Sequence, residues 1–312
     1  MKICVTGGAG FIGSWIAEAY LREGHEVVVV DNLSTGITAN VPEGARLVEM
    51  DITSDAFDAL ADAERFDVIN HHAAHMELRV SVERPLHDAQ ANILGSLRVL
   101  EAARRTNVGQ VILASSGGAL YGAQDVFPAD EDQPWRPISP YGVAKGSMEL
   151  YGACYARIHN MTVTALRYTN VYGPRQNPFG EAGVVAIFLE KALSNAVCTV
   201  NGAGDQRRDY VYVSDVADAN IAVTRHHLGG VFNVATGIET DVNTIVAALA
   251  RYMGKTIEVH HGPAKPGDLP RNVCSSERLT SATGWKPQIG VEQGIERTVA
   301  WFTDRWRRKN GA

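Results

Sequence analysis

Two hydrophobic periods alternate along the first 170 or so residues of this chain. Short apolar runs rich in β-branched residues stand at Lys2–Thr6, Val27–Val30, Leu47–Asp51, Asp67–His71, Val111–Ser115 and Val163–Tyr168. Their length and composition predict buried strands. Helical spacing fills the gaps: from the residues after Gly10 to about Arg22, with Gly24 as a stop, then near 87–106 and 140–159. Strands alternating with helices imply crossover units, hence an α/β fold with a doubly wound parallel sheet and helices on both faces. Beyond Tyr168 the pattern loosens into Gly/Pro-rich loops at 173–183, 202–209 and 263–270, with helices expected near 184–194, 214–227, 241–253 and 291–308. Long loops of this kind suggest a smaller α/β substrate-binding part laid over the sheet. The division expected is 1–168 for a nucleotide-binding part and 169–312 mainly for substrate, with segments near 211–250 returning to the first part.

The first strand runs into Gly7-Gly-Ala-Gly10-Phe-Ile-Gly13. In a strand–turn–helix context these glycines form a phosphate cradle. Gly7 allows the tight turn, Gly10 lets a pyrophosphate reach the backbone, and Gly13 allows close packing, while amide donors and the helix dipole face the anion. The spacing is G-x-x-G-x-x-G rather than the commoner G-x-G-x-x-G. About 20 residues on, the second strand ends in Asp31, where a carboxylate can take both ribose hydroxyls of NAD and would repel a 2′-phosphate. No arginine follows in Asn32-Leu-Ser-Thr. The cofactor expected is NAD.

Tyr141-Gly-Val-Ala-Lys145 puts a phenol and an ammonium on one helix face, four residues apart. A phenol with a pKa of about 10 is a poor base near neutrality, and a neighbouring cation favours its ionised form. The pair therefore reads as a general acid/base.

Composition narrows the setting. With 312 residues, 45% of them hydrophobic, the chain can bury a large core. A net charge of −6 and a pI near 5.9 disfavour nucleic-acid and anionic-membrane partners, which reward clustered cations. No run approaches the roughly 20 apolar residues of a membrane span, and the N-terminus enters a strand directly, so the expectation is a cytoplasmic protein. Cys4, Cys154, Cys198 and Cys274 lack C-x-x-C spacing and are expected as buried thiols. His71, His72 and His75, like the pairs 226–227 and 260–261, do not predict a metal site, since adjacent residues on a strand face opposite ways.

With these residues in hand, the chain resembles the extended short-chain dehydrogenase/reductase family, Rossmann-type in fold, and within it the UDP-glucose 4-epimerase group. The resemblance also rests on Asp51-Ile52, Ala73-Ala74-His75, Asn92, Ser115-Ser-Gly-Gly-Ala-Leu-Tyr-Gly122, Arg167–Arg175 and Gly204–Val211. At the cofactor it implies Gly7, Gly10, Phe11 and Ile12 in the first turn, Asp31 with Asn32, and Asp51 with Ile52. Further along it implies Ala73, Ala74, His75, Asn92, Ser115 and Tyr168, together with Tyr141 and Lys145. It also implies a mechanism in which Tyr141 takes the proton of a sugar 4-hydroxyl as bound NAD removes the C4 hydride. The ketone then turns and both return to its other face, while Lys145 lowers the Tyr141 pKa and holds the nicotinamide ribose.

Departures from the family pattern qualify this. The usual serine or threonine four residues before Tyr121 is Gly117. Ser116 is taken as the catalytic and substrate-binding hydroxyl, with Ser115 in reserve; a Ser116 that merely caps the strand end is the alternative. His75 stands where glutamine is commoner. Dehydratases and decarboxylases of the family carry carboxylates where this chain has Gly118 and Ala119, which favours epimerisation. For a nucleotide sugar such as a UDP-hexose, the resemblance implies Tyr141, Asn170, Arg208, Lys265 in place of a usual arginine, and Asp268. Asn272 stands where a bulkier tyrosine confines some relatives to unmodified hexoses, so a 2-acetamido group should be tolerated.

Rival readings are a UDP-glucuronate 4-epimerase with Arg79 or Arg175 aimed at C6, another nucleotide-sugar epimerase, a dehydrogenase that releases NADH, and a non-catalytic NAD-sensing protein. A homodimer through helices near 92–106 and 140–159 is expected from the resemblance alone.

Overall fold

The computed structural model describes residues 1–179, 183–264 and 268–311. In the first half, β1 (Lys2–Thr6), α1 (Phe11–Arg22), β2 (Glu26–Asp31) and β3 (Arg46–Glu49) are followed by α2 (Asp55–Glu64) and β4 (Val68–His71). The chain continues through α3 (Leu78–Glu83), α4 (Pro85–Ala89), a π turn (Gln90–Leu94), α5 (Gly95–Thr106), β5 (Gln110–Ser116), α6 (Gly117–Leu120), α7 (Pro140–His159) and β6 (Thr162–Tyr168). The second half carries β7 (Asn170–Tyr172), α8 (Val184–Leu193), β8 (Cys198–Asn201), β9 (Arg207–Tyr212), α9 (Val213–Arg225), β10 (Gly230–Val234) and β11 (Glu239–Asp241). It closes with α10 (Val242–Met253), β12 (Val259–Gly262), β13 (Arg271–Asn272), α11 (Glu277–Thr283) and α12 (Val291–Asn310).

Seven parallel strands form the main sheet in the order β3-β2-β1-β4-β5-β6-β10. The order reverses between β1 and β4, the place where doubly wound sheets open a crevice for ligands. Because both faces are covered, the strands read as continuous apolar runs. Their alternate residues serve two cores: Val27 and Val29 join Ile3, Val5, Ile16 and Tyr20 under α1 and α9, whereas Val28 and Val30 join Cys4, Phe57, Ile69 and Leu100 under α2 and α5. β10 takes the edge beside β6 in parallel register, Gly230–Val234 against Thr164–Tyr168. A third core, with Phe188, Leu189, Tyr210, Ile245, Leu249, Ile295 and Phe302, consolidates the second half. There β9 pairs with β7, β11 and β13, and β8 with β12. Among the described residues no helix is long and apolar enough to cross a membrane.

Several sequence expectations need correction. The helix anticipated near 87–106 is broken into α4, the π turn and α5. Asn92 sits in the wide turn with its side chain pulled inward, donating 2.8 Å bonds to the His75 carbonyl and to Asp88 Oδ1; π turns often mark such functional insertions. The expected loop 202–209 ends in strand, since Arg207 already pairs with Asp241 and Arg271. Cys154 is exposed, unlike the other three thiols. It lies on the outward stripe of α7 with Val143, Leu150, Tyr151 and Ile158.

One buried ion pair ties the layers together. Arg167 on β6 clamps Glu149 on α7 through Nε (3.0 Å to Oε1) and Nη2 (2.7 Å to Oε2), with the side chains 3% and 2% exposed. Its Nη1 donates to the Tyr121 hydroxyl (2.7 Å) and the Glu131 carbonyl (3.0 Å), and its guanidinium lies over the Tyr121 and Trp135 rings. The Tyr121 hydroxyl donates to Asn233 Oδ1 on β10 at 2.8 Å. Removing one partner strands a buried charge, so Arg167→Met is expected to destabilise by about 3–5 kcal/mol in urea unfolding, and Glu149→Leu/Arg167→Met to recover much of that loss.

Candidate functional site

The candidate residues collect at the carboxyl ends of the parallel strands, beside the β1/β4 reversal. Gly7 has φ +68°, and a Cβ there would fall 2.6 Å from Ala73 N and the His72 carbonyl carbon. A Cβ on Gly13 would come within 2.3 Å of the Gly7 carbonyl oxygen, so the close packing at this glycine is against the turn itself. At Gly10 a Cβ would meet only the Gly7 oxygen, at 3.1 Å, which leaves the start of α1 open outward. Gly10 caps α1 without a side chain, so the first amides of α1 keep their donors for an anion. Asp31 is buried at the end of β2 and accepts from Ala9 N (3.0 Å) and Leu33 N (2.9 Å). Asn32 donates to Asp51 Oδ2 at 3.0 Å, bringing the second and third strand ends together. Turn, open helix start, and acid one strand over fit a dinucleotide such as NAD. Phe11 and Ile12 open α1 beside this turn, and Ile52 is buried against Gly95.

β4 delivers the other wall. His71 is buried between Thr6 Oγ1 (2.7 Å) and Ser96 Oγ (3.0 Å), and Ala73 N donates to Thr6 Oγ1 at 3.2 Å. Burial holds the His71 and His72 imidazoles down at about 3, hence neutral. His75 N donates to Asn92 Oδ1 at 2.9 Å. The Asn92 amide is thus committed to clamping the loop of Ala73, Ala74 and His75, and its influence on a ligand passes through that loop. Among the described residues no cluster of His, Cys, Asp or Glu could hold a metal ion.

The acid/base pair rides on α7. Ser139 Oγ accepts from Gly142 N at 3.1 Å and Pro140 takes the first helical position, so the helix starts immediately before Tyr141. Lys145 Nζ is buried and donates to the Ala114 carbonyl at 2.8 Å. It lies over the Tyr141 ring, 5.7 Å from its centre. Burial lowers the Lys145 pKa to about 8 against the opposing charges of Asp88 and Glu149. The Tyr141 phenol is raised, first by burial and then by Asp88. Lys145 is expected from sequence to lower it, and burial together with Asp88 opposes that lowering.

Ser116 and Ser115 separate clearly. Ser116 Oγ, partly exposed at the end of β5, accepts from Ala119 N at 3.2 Å and so caps α6. Its hydroxyl proton remains available. Ser115, by contrast, donates to the buried Glu149 carboxylate and is locked into the Arg167 knot, which removes it as the reserve hydroxyl. Gly117 is buried, and a Cβ there would stand 3.1 Å from Cys274 Sγ, facing the core.

On the substrate side, Asn170 donates to the Asp209 carbonyl (3.3 Å), while Asp209 takes Thr236 N and Gly237 N at 2.9 Å each. Arg208 and Asp268, expected separately at a nucleotide, form an ion pair with each other. Lys265 lies outside the described residues. Asn272 pairs in register with Arg208, is 2% exposed, and among the described residues has no partner for either amide atom. Arg175 is paired with Glu18 and stacks over Trp15. The Tyr168 hydroxyl is spent on Asn220 and His72. Sequence reading overlooked Asp88, Ser81 (which receives Tyr141 N at 3.3 Å) and Asn220; only Asp88, four residues before Asn92, carried a local signal.

Comparison with known proteins follows the same line. The family described as NAD dependent epimerase/dehydratase matches residues 3–235. A UDP-glucose 4-epimerase of Mycolicibacterium smegmatis is 38% identical over 311 residues, covering 98% of this chain and 99% of the relative. A solved UDP-glucose 4-epimerase with UDP-glucose from Thermotoga maritima aligns at TM-score 0.94 and 40% identity, covering 98% and 99% of the two chains. One from Thermus thermophilus, in complex with NAD, aligns at TM-score 0.93 and 42% identity over 97% and 99%.

The depressed Lys145 pKa has a measurable sign. The folded state binds fewer protons here than the unfolded state between about pH 8 and the ordinary lysine value, so stability rises with pH across that window. Wild type is therefore expected to gain on Lys145→Met in urea unfolding from pH 8 upward, by no more than about 1.4 kcal/mol per pH unit. A constant difference would show that Lys145 is not desolvated.

Proposed function

Since the chain belongs to the NAD dependent epimerase/dehydratase family, we propose that it is an NAD-dependent isomerase that interconverts UDP-glucose and UDP-galactose at C4. The observation that carries this reading is the Tyr141–Lys145 pair at the strand ends, with Gly118 and Ala119 where dehydratases and decarboxylases of the family carry carboxylates. Without such a carboxylate there is no group to move a proton at C5, so elimination is disfavoured and the proton traffic is confined to the 4-oxygen.

The glycine turn and the α1 amides would hold the pyrophosphate of NAD, Asp31 and Asn32 its adenosine ribose, and Asp51 with Ile52 its adenine. The cofactor, when bound, accepts a hydride from C4 and returns it. Tyr141 takes the 4-hydroxyl proton and gives it back on the other face, and Lys145, a buried cation one turn on, holds the ribose and balances charge. Ser116 offers its hydroxyl to the same oxygen. Arg208 would turn from Asp268 to the diphosphate, leaving Asp268 for the uridine ribose, with Lys265 as a second cation and Asn170 at the phosphate and sugar. Residues 1–168 thus serve mainly the cofactor and 169–312 mainly the nucleotide sugar.

Within this reading Asn272 favours breadth of substrate. Its amide is buried with both atoms unpartnered among the described residues, and a 2-acetamido group supplies one donor and one acceptor. The engagement of Arg175 by Glu18 weighs against a uronate. The protein would work as a cytoplasmic homodimer, a second copy covering the exposed Leu86, Leu94, Val143, Leu150 and Ile158 of α4, the π turn and α7.

Purified protein without added cofactor, given UDP-galactose, UDP-N-acetylgalactosamine or UDP-galacturonate, is expected to convert the first two to their C4 epimers, followed by anion-exchange chromatography. No conversion of any, even with NAD supplied, would remove the epimerase reading. Tyr141→Phe should lose about 10²–10⁴-fold in kcat, and Asn272→Tyr should lose the acetamido substrate selectively while keeping UDP-galactose.

A further inference from the structure

Tyr141 is held by more than its own helix. The first amides of an α-helix find no partner within it, and at the start of α7 each of them is accounted for. Pro140 has no N–H, Gly142 N donates to Ser139 Oγ at 3.1 Å, and Val143 N donates to the Ser139 carbonyl at 3.1 Å. That leaves the amide of Tyr141 itself, which donates to Ser81 Oγ on α3 at 3.3 Å. The reactive residue thus receives its cap from another helix.

The Ser81 hydroxyl is set to accept and not to donate. The residue is fully buried, its amide is bonded to the Glu77 carbonyl at 2.9 Å, and its Oγ donates to the Leu78 carbonyl at 2.6 Å. With its one proton committed to a pure acceptor, the oxygen offers only lone pairs to Tyr141 N. α3 in turn continues the loop that walls the cofactor crevice. Ala73 N is bonded to Thr6 Oγ1 behind the glycine turn, and His75 is clamped at both its N–H and its carbonyl by the Asn92 side chain. The segment from Ala73 to Ser81 is therefore tied at one end to the glycine turn and the π turn, and at the other to the backbone of Tyr141.

We infer that Ser81 is a positioning residue for Tyr141, its oxygen registering the start of α7 against the wall of the cofactor crevice. This rests on the epimerase reading above. In that reaction the sugar turns while the phenol serves both faces of C4 in succession, so the phenol must keep one place relative to the cofactor. Small displacements of such a group cost rate and not binding.

The test is steady-state turnover of UDP-galactose by full-length Ser81→Ala, expressed per bound NAD. The variant removes the acceptor and little volume. Its kcat is expected to fall about three- to tenfold, the effect of one neutral hydrogen bond spent on alignment, with KM and NAD affinity as in wild type. A second measurement needs neither turnover nor a stable variant. Hydrogen exchange resolved to single amides should show Tyr141 N–H slow in wild type, unlike an ordinary second residue of a helix, and in Ser81→Ala it should become fast while Val143 N–H stays slow. An unchanged kcat in Ser81→Ala overturns the inference, as does a freely exchanging Tyr141 amide in wild type. Loss of NAD affinity or of Val143 protection together with kcat also overturns it, since Ser81 would then only stabilise the wall loop or the helix end. Failure of the wild type to convert UDP-galactose would instead strike the epimerase reading, and the exchange of Tyr141 N–H would still decide whether Ser81 holds the tyrosine.

Discussion

The structure depends on what happens to one buried positive charge. Arg167 sits at the end of β6 with almost no access to water, and its guanidinium is bonded to groups from three other segments. Glu149 brings in α7, Tyr121 the turn after β5, and the Glu131 carbonyl the long loop before α7. Desolvating a guanidinium is so costly that these partners are not interchangeable; any arrangement that leaves one donor idle is disfavoured. The charge therefore acts as a selector. It fixes how far α7 stands from β5 and β6, and through Ser115 it reaches the strand end that carries Ser116.

That selection explains why the reactive groups have little freedom. Lys145 lies one turn before Glu149 on the same face of α7, and its ammonium is pinned to the Ala114 carbonyl. Tyr141 lies one turn earlier, its amide tied to Ser81. Burial raises the phenol and lowers the ammonium, so it drives their proton affinities apart, and ionising Tyr141 beside Lys145 needs a further charge to tip the balance. Asp88, buried and bonded by Asn92, is the nearest such charge among the described residues and opposes ionisation of Tyr141. A positively charged ring bound nearby would act the other way.

What could be read from sequence was what is local. The glycine turn, the acid after β2, the Tyr-x-x-x-Lys spacing and the continuous apolar strands are each set by a few consecutive residues, and the parallel sheet follows from their alternation. The misses share a different cause. The π turn at Gln90–Leu94 exists because Asn92 reaches back 17 residues to His75, and nothing in its own helical pattern signals that. Ser115 and Ser116 are identical neighbours in sequence, yet one is captured by Glu149 and the other is left at the mouth of the crevice. The short strands of the second half are too brief, and too broken by glycine, for periodicity to separate them from loops. Cys154 reads as any apolar position would until the helix is set on its neighbours and that stripe faces outward.

The edge strand β10 has a consequence for how the chain comes to be folded at all. It completes the main sheet beside β6, yet 61 residues separate the end of β6 from its start. Until residue 234 has left the ribosome, β6 presents an unpaired parallel edge and Tyr121 has no Asn233 to receive its proton. The first half, though encoded first, therefore cannot complete its sheet ahead of the rest. Its early strands must wait as a partial sheet while β7, α8, β8 and β9 are made and set aside, so that synthesis order and assembly order diverge at the place where the two halves share a strand.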